Sequence, residues 1–155
     1  ESTQLCLQAL DRFLSPQARC LDLGTGSGIL SIAAALLGAE SVLAVDVDEV
    51  AVVNARENLA RNAIAEQCVE VRTGSLEVVG EASFDLILAN IQSHILRPLL
   101  TPIDRLLKPV GLVLFSGLLV REGADFCGWV EDAGLQIETT MEKGEWICVV
   151  ARNAR

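Results

Sequence analysis

A doubly wound α/β domain, with helices on both faces of a mostly parallel sheet, is the fold class this sequence predicts. Three observations predict it. Short strands alternate with helix-length segments along the chain; several strands are solid aliphatic runs, the pattern of strands buried on both faces; and a glycine-rich loop joins the first strand to the helix after it. At 155 residues there is room for one domain, residues 1–155, at ~100–200 residues per domain. A hydrophobic content of 51% and a mean hydropathy of +0.42 suffice for a sizeable core and exclude a disordered acidic tail.

The elements follow in order. Leu5, Ala9 and Phe13, with Cys6, Leu10 and Leu14 beside them, make a helical stripe that Ser15-Pro16 ends. Cys20 to Leu23 is a short strand running into Gly24-Thr25-Gly26-Ser27-Gly28; Ile29 to Leu37 is helix-length, with Gly38 as its stop. Ser41 to Val45 is a strand. Asp48 can cap the next helix, whose Val52, Ala55, Leu59 and Ala63 share one face. Val69 to Thr73 and Phe84 to Ala89 read as strands, and about His94 to Leu107 as a helix made irregular by Pro98 and Pro102. After a turn at Pro109-Val110-Gly111 comes a fifth strand, Leu112 to Ser116, then a helix from Glu122 to Ala133 stopped by Gly134. Leu135 to Met141 and Trp146 to Val150 form a final hairpin turned at Glu142-Lys143-Gly144.

Composition narrows the partners. Twelve Lys and Arg against twenty-one Asp and Glu give a net charge of −9, the wrong sign for neutralising nucleic-acid phosphates but suited to steering in a basic protein segment or a cationic small molecule. The apolar stretches Ile29 to Ala39 and Val110 to Val120 fall short of the ~18–20 residues of a spanning helix. No basic-then-apolar leader follows Glu1, so no signal or transit peptide is expected; the expectation is a soluble, cytoplasmic chain without a membrane partner, and a monomer. The five cysteines, Cys6, Cys20, Cys68, Cys127 and Cys148, are scattered without a CxxC pair, which predicts buried reduced thiols and no metal site.

In a doubly wound sheet, ligands sit beyond the carboxyl ends of the strands at the switch point. The residues after Leu23, Val45, Thr73 and Ala89 are therefore where chemistry is sought. Alternate glycines at Gly24, Gly26 and Gly28 let a ligand approach the backbone; the same loop can also be no more than a tight strand-to-helix turn. The dinucleotide pattern GxGxxG places its third glycine one residue later than here, and Asp22 is expected at the loop's mouth, where it would repel a pyrophosphate. S-adenosylmethionine, which carries a sulfonium and an ammonium, suits that arrangement better than NAD. Asp46, 22 residues after Gly24, stands near the spacing at which an acid accepts both ribose hydroxyls in either nucleoside. Asn90, at the fourth strand's end, can orient a nitrogen nucleophile through its amide, or can simply end the strand. His94 reads either as a base or as a solvated residue at a helix start. No GxSxG elbow supports Ser-His-Asp hydrolysis.

The run from Leu21 to Leu30, Val45-Asp46-Val47-Asp48, Ala89-Asn90-Ile91, Leu106-Leu107-Lys108-Pro109, Ser116-Gly117 and Gly144-Glu145-Trp146 resemble the catalytic domain of the ribosomal protein L11 methyltransferase (PrmA) family. The likeness covers nearly the whole chain. The glycine loop with Asp46 is common to class I methyltransferases, whereas the later motifs in this order point to the narrower family. The resemblance implies a Rossmann-like, seven-stranded sheet with one antiparallel strand, and transfer of methyl groups from S-adenosylmethionine to protein amino groups, the acceptor being a lysine or the amino terminus of a ribosomal protein. It implies cofactor contacts at Thr3, Asp22, Gly24, Thr25, Gly26, Gly28, Asp46, Val47, Ser75 and Leu76, with Asn90 near the transferred methyl. The sequence departs from the pattern at Gly74-Ser75-Leu76, where the family usually has Gly-Asp-Leu, and at Gln92-Ser93, where a small apolar pair is usual. The family's amino-terminal recognition domain is expected to lie outside these residues. The alternatives within the reading are a class I enzyme for another protein or a small amine; outside it, an NAD-dependent oxidoreductase or a cofactor-binding module without catalysis.

Overall fold

A computed structural model describes all 155 residues. Six helices, α1 (Ser2–Phe13), α2 (Ile29–Leu36), α3 (Glu49–Arg61), α4 (Ser93–Leu96), α5 (Leu100–Leu106) and α6 (Gly123–Asp132), surround seven strands. The strands are β1 (Arg19–Leu23), β2 (Ser41–Asp46), β3 (Val69–Thr73), β4 (Phe84–Asn90), β5 (Leu107–Leu119), β6 (Leu135–Lys143) and β7 (Trp146–Asn153). They form one sheet in the order β3-β2-β1-β4-β5-β7-β6. β1 pairs in parallel with both β2 and β4, and only β7 runs antiparallel to its neighbours β5 and β6. The chain winds outward from β1 in one direction and from β4 in the other, so the crevice between β1 and β4 is the switch point.

Strand alternation divides the core into two layers. Cys20, Leu86, Leu88, Leu114 and Val150 face α1, α2 and α3, where Leu5, Leu10, Leu30, Ala34, Val52 and Leu59 meet them. Leu21, Leu23, Ile87, Val113, Phe115 and Val149 face Leu96, Ile103, Phe126 and Val130 on the opposite side. Phe115 and Phe126 are both fully buried and meet edge to face at 5.1 Å between ring centroids. Burial of side chains this size contributes about 1.5–3 kcal/mol each and fixes the helices against a rigid sheet.

Three expectations need correction. The fifth strand begins at Leu107, not Leu112: Leu107 already pairs with Phe84, and the Pro109-Val110-Gly111 turn is a bulge inside the strand. Gly111 is needed there because a Cβ would meet the Lys108 carbonyl oxygen at 2.8 Å, and Val110 is driven to φ +57°. Ala63 does not share the buried face of α3; the helix has ended at Arg61, and Ala63 is exposed in the left-handed region. Of the five thiols, Cys6, Cys20 and Cys148 are buried but Cys68 and Cys127 only partly so, although all are free. Burial pushes the Cys20 and Cys148 thiols up to about 12. The expected break around Pro98 is present as a 3₁₀ turn, Arg97–Leu99, between α4 and α5. No helix is long and apolar enough to cross a membrane, and no group of three or more His, Cys, Asp or Glu is placed to hold a metal.

Candidate functional site

The carboxyl ends of β1, β2, β3 and β4 converge as the topology requires. At the first of them the loop needs three glycines for three separate reasons. Gly24 (φ +74°) lies against Ile91, whose side chain an added Cβ would meet at 3.0 Å. Gly28 (φ +86°) lets the loop press onto α3, where the Cβ of Ala55 would be 3.2 Å away. Gly26 (φ +56°) faces open space, with nothing within 4 Å of a Cβ. It therefore leaves the backbone open to a ligand.

Two carboxylates hold this loop. Asp22 does not stand at its mouth. It is 1% exposed, beneath the loop, where its Oδ2 accepts hydrogen bonds from the Thr25 hydroxyl and the Ser31 hydroxyl, each at 2.7 Å. Burial raises its pKa; the Ser31 and Thr25 hydrogen bonds pull the other way without prevailing. Asp22 is thus a brace for the loop and, contrary to expectation, is not placed at the mouth to repel a pyrophosphate. Thr25 is likewise buried, turned inward onto Asp22. Ser31, absent from the sequence reading, did leave a signal: it is the one hydroxyl in the otherwise apolar α2.

Asp46 is the carboxylate that faces the loop's outer side. Its Oδ2 accepts the Gly26 N–H at 2.9 Å and its Oδ1 the Asp48 N–H at 3.0 Å, leaving lone pairs on both oxygens. The Asp48 side chain caps α3 through the Val50 N–H at 2.9 Å, as its place in the sequence predicts. Val47, beside Asp46, is 74% exposed, an aliphatic surface offered next to the acid. At the end of β3, Gly74 donates its N–H to the Asp46 carbonyl at 2.8 Å, which brings Ser75 and Leu76 to the same rim. The Ser75 N–H is taken by the Glu77 carboxylate at 2.9 Å, a bond that holds the Glu77 carboxyl below the usual range.

Across the switch point, Asn90 ends β4 opposite Ser116 of β5. Its Oδ1 is buried and has no partner, while its Nδ2 lies 3.5 Å from the Thr3 hydroxyl oxygen. Ser116 donates its hydroxyl to the Ser2 carbonyl at 3.0 Å, seating the first turn of α1 over this end of the sheet. Gly117 (φ +76°) makes the arrangement possible. A Cβ there would lie 3.0 Å from the Ile91 nitrogen and 3.1 Å from Asn90 Oδ1. Ile91 belongs to the Ala89-Asn90-Ile91 motif of the sequence, whereas the pairing of Ser93 with Glu122, their oxygens 2.8 Å apart, has no signal there because no local pattern marks a partner 29 residues away. His94 is exposed on α4, in keeping with a solvated residue at a helix start.

All the expected site residues thus gather on one rim, with Asp22 and Thr25 beneath it. A family model described as ribosomal protein L11 methyltransferase (PrmA) matches residues 1–154. Ribosomal protein L11 methyltransferase of Heliobacterium modesticaldum is 40% identical over 153 residues, covering 99% of this chain and 48% of that protein. The same enzyme of Caldicellulosiruptor saccharolyticus is 40% identical over 152 residues, 98% of this chain and 49% of its own length. The chain therefore spans about half the length of the curated relatives it matches. Among solved structures, ribosomal protein L11 methylase from Lactobacillus delbrueckii subsp. bulgaricus superposes with a TM-score of 0.91 at 36% identity, over 97% of this chain and 77% of that one.

Proposed function

This chain belongs to the ribosomal protein L11 methyltransferase (PrmA) family, and on that premise we propose that it binds S-adenosylmethionine and directs its methyl group to protein amino groups. One observation carries the reading: the buried, unpartnered Oδ1 of Asn90 at the switch point. An orphaned amide oxygen costs about 1–3 kcal/mol unless a donor reaches it, and an amine at the reacting centre is such a donor.

The residues present fit the cofactor. The open space at Gly26, the free lone pairs of Asp46 and the exposed Val47 beside it form a site for a nucleoside: the glycine loop for its backbone-facing side, Asp46 for the ribose hydroxyls and Val47 with Leu76 for the base. Thr3 and Asn90 would stand at the other end. When bound, S-adenosylmethionine supplies an electrophilic methyl group on a sulfonium. The protein's own contribution is positioning. Asn90 Oδ1 accepts a hydrogen bond from the acceptor amine and points its lone pair without adding charge to the site. The amine must be neutral to attack, and its withdrawal from water in the crevice lowers its pKa, so that the proton can pass to solvent.

The relatives' names support ribosomal protein L11 as the acceptor, and the net charge of −9 favours encounter with a basic protein segment. Calorimetric titration with S-adenosylhomocysteine and with NAD tests the cofactor: saturable binding of the sulfur nucleoside alone is expected, and saturable binding of NAD alone would refute it. Radiolabelled methyl transfer to ribosomal protein L11, by the longest natural chain that contains these residues, tests the reaction. Binding without transfer to any protein would leave a cofactor-binding module.

A further inference from the structure

We propose that Glu122 is a positioning residue, a carboxylate clamp that fixes the segment leaving β4 against the end of β5 and so holds Asn90 in register; the proposal rests on the methyl-transfer reading above. Glu122 closes the 3₁₀ turn Val120–Glu122 after β5, outside every motif that marks the site in the sequence. Its Oε2 accepts the Leu119 N–H at 2.8 Å and its Oε1 accepts the Ser93 hydroxyl at 2.8 Å. Both oxygens are engaged, and these bonds, that of Leu119 foremost, hold the carboxyl below the usual range. Ser93 is buried, so its hydroxyl is withheld from solvent and depends on this acceptor.

What the clamp joins gives it a function. From Asn90 the chain runs through Ile91 and Gln92 to Ser93. The near end is tied to β5 by the Ile91 N–H on the Ser116 carbonyl at 3.2 Å; the far end is tied to the continuation of β5 by Glu122. Gly117 lies between the two ties, in contact with Ile91 and Asn90. Asn90 therefore occupies a slot whose walls are held together at both ends, and its Oδ1 has no partner of its own to fix it. A side chain held by its walls and by one long bond from its Nδ2 to the Thr3 hydroxyl is sensitive to the spacing of those walls, because misplacement of about 1 Å can cost on the order of 100-fold in rate.

Glu122→Ala and Glu122→Gln are to be compared with the unaltered sequence in the longest natural chain containing these residues. Three readouts apply: S-adenosylhomocysteine titration, amide hydrogen exchange at Leu119 and Ile91, and steady-state methyl transfer to ribosomal protein L11. In Glu122→Ala, exchange should quicken and kcat should fall about tenfold while the dissociation constant stays within about twofold. Glu122→Gln keeps an acceptor for the Leu119 N–H and offers its amide NH2 to the Ser93 oxygen, so it should recover most of kcat. Unchanged exchange and kcat in the alanine variant would overturn the clamp, as would a loss of cofactor affinity as large as the loss of kcat, or a glutamine variant no better than alanine. Should Glu122→Ala fail to fold, Ser93→Ala removes one arm and carries the same expectations at smaller size. If the unaltered protein binds S-adenosylhomocysteine but methylates nothing, the functional reading fails, and the clamp is then judged by whether exchange quickens in the alanine variant and recovers with glutamine.

Discussion

At the ends of β1 and β2 the polar groups find partners close by in the sequence. Asp22 bonds to Thr25 and Ser31, three and nine residues on, and Asp46 reaches Gly26 across twenty. At the ends of β4 and β5 the distances are of another order: Ser93 to Glu122 spans 29 residues, Asn90 to Thr3 spans 87, and Ser116 to Ser2 spans 114. The first region is a local device that two strands and a helix assemble almost alone. The second exists only when the whole chain has folded; each region keeps one buried oxygen without a partner, Asp22 Oδ1 in the first and Asn90 Oδ1 in the second. A nucleoside that many enzymes share can be held by a local motif, whereas an acceptor peculiar to one reaction calls for a surface gathered from distant parts. Changes in the first region should alter affinity, and changes in the second should alter rate.

The largest test of that division is Gly117→Ala. The new methyl would press on the Ile91 backbone and Asn90 at a φ of +76°, and methyl transfer should fall about 100-fold while S-adenosylhomocysteine still binds; equal loss of both would merge the two regions. Asp46→Ala should do the reverse, weakening the cofactor by about 1–3 kcal/mol, the scale of charge-assisted hydrogen bonds to ribose. An unaltered dissociation constant in the folded variant would remove Asp46 from the site. Asn90→Ala should lower kcat about tenfold with the dissociation constant within about twofold, and a full rate would reduce Asn90 to a strand end.

Two smaller effects sharpen the contrast between site and scaffold. Val110→Gly, far from the rim, relieves a β-branched residue at φ +57° and should stabilise the fold by about 1 kcal/mol in urea denaturation without changing cofactor affinity. Asp22→Asn should show a pH signature. Its folded pKa lies above the usual value of 3.8 because burial outweighs its hydrogen bonds. Such a group contributes most to stability below its unfolded pKa, and that contribution is lost as the pH rises through the folded value. The variant, which cannot ionise, should therefore gain stability relative to the unaltered protein on going from about pH 4 to about pH 7. A constant difference across that range would mean that Asp22 does not keep its raised pKa.

The same contrast decides what the sequence could reveal. The glycine loop, Asp46 and the Asp48 cap were legible because their spacing is local and tied to one strand–turn–helix unit. The alternation of strands and helices was legible for the same reason, since aliphatic runs and breakers are read a few residues at a time. The depth of Asp22 was not, because a carboxylate before a glycine loop looks the same whether it faces solvent or two hydroxyls; Ser31 in an apolar helix was the clue. The start of β5 at Leu107 was hidden by Pro109 and Gly111, which mark a turn but not whether pairing resumes across it. Gly117 appeared only as half of a dipeptide, and its contact with Asn90 emerged once β4 and β5 were paired. Glu122 lay beyond any local rule.

The place of β7 has a consequence for how the molecule comes into being. β6 precedes β7 in the chain, yet β7 lies between β5 and β6 and is the only strand that β6 pairs with. During synthesis, then, β6 leaves the ribosome with no edge to join and waits for residues 146–153 to arrive and bridge it to β5. α1 waits as well, since its buried Leu5, Cys6, Ala9 and Leu10 share a core layer with Cys148 and Val150 of β7. α1, which precedes every strand of the sheet in sequence, is thus among the last of these elements to complete its packing, and Thr3 with it.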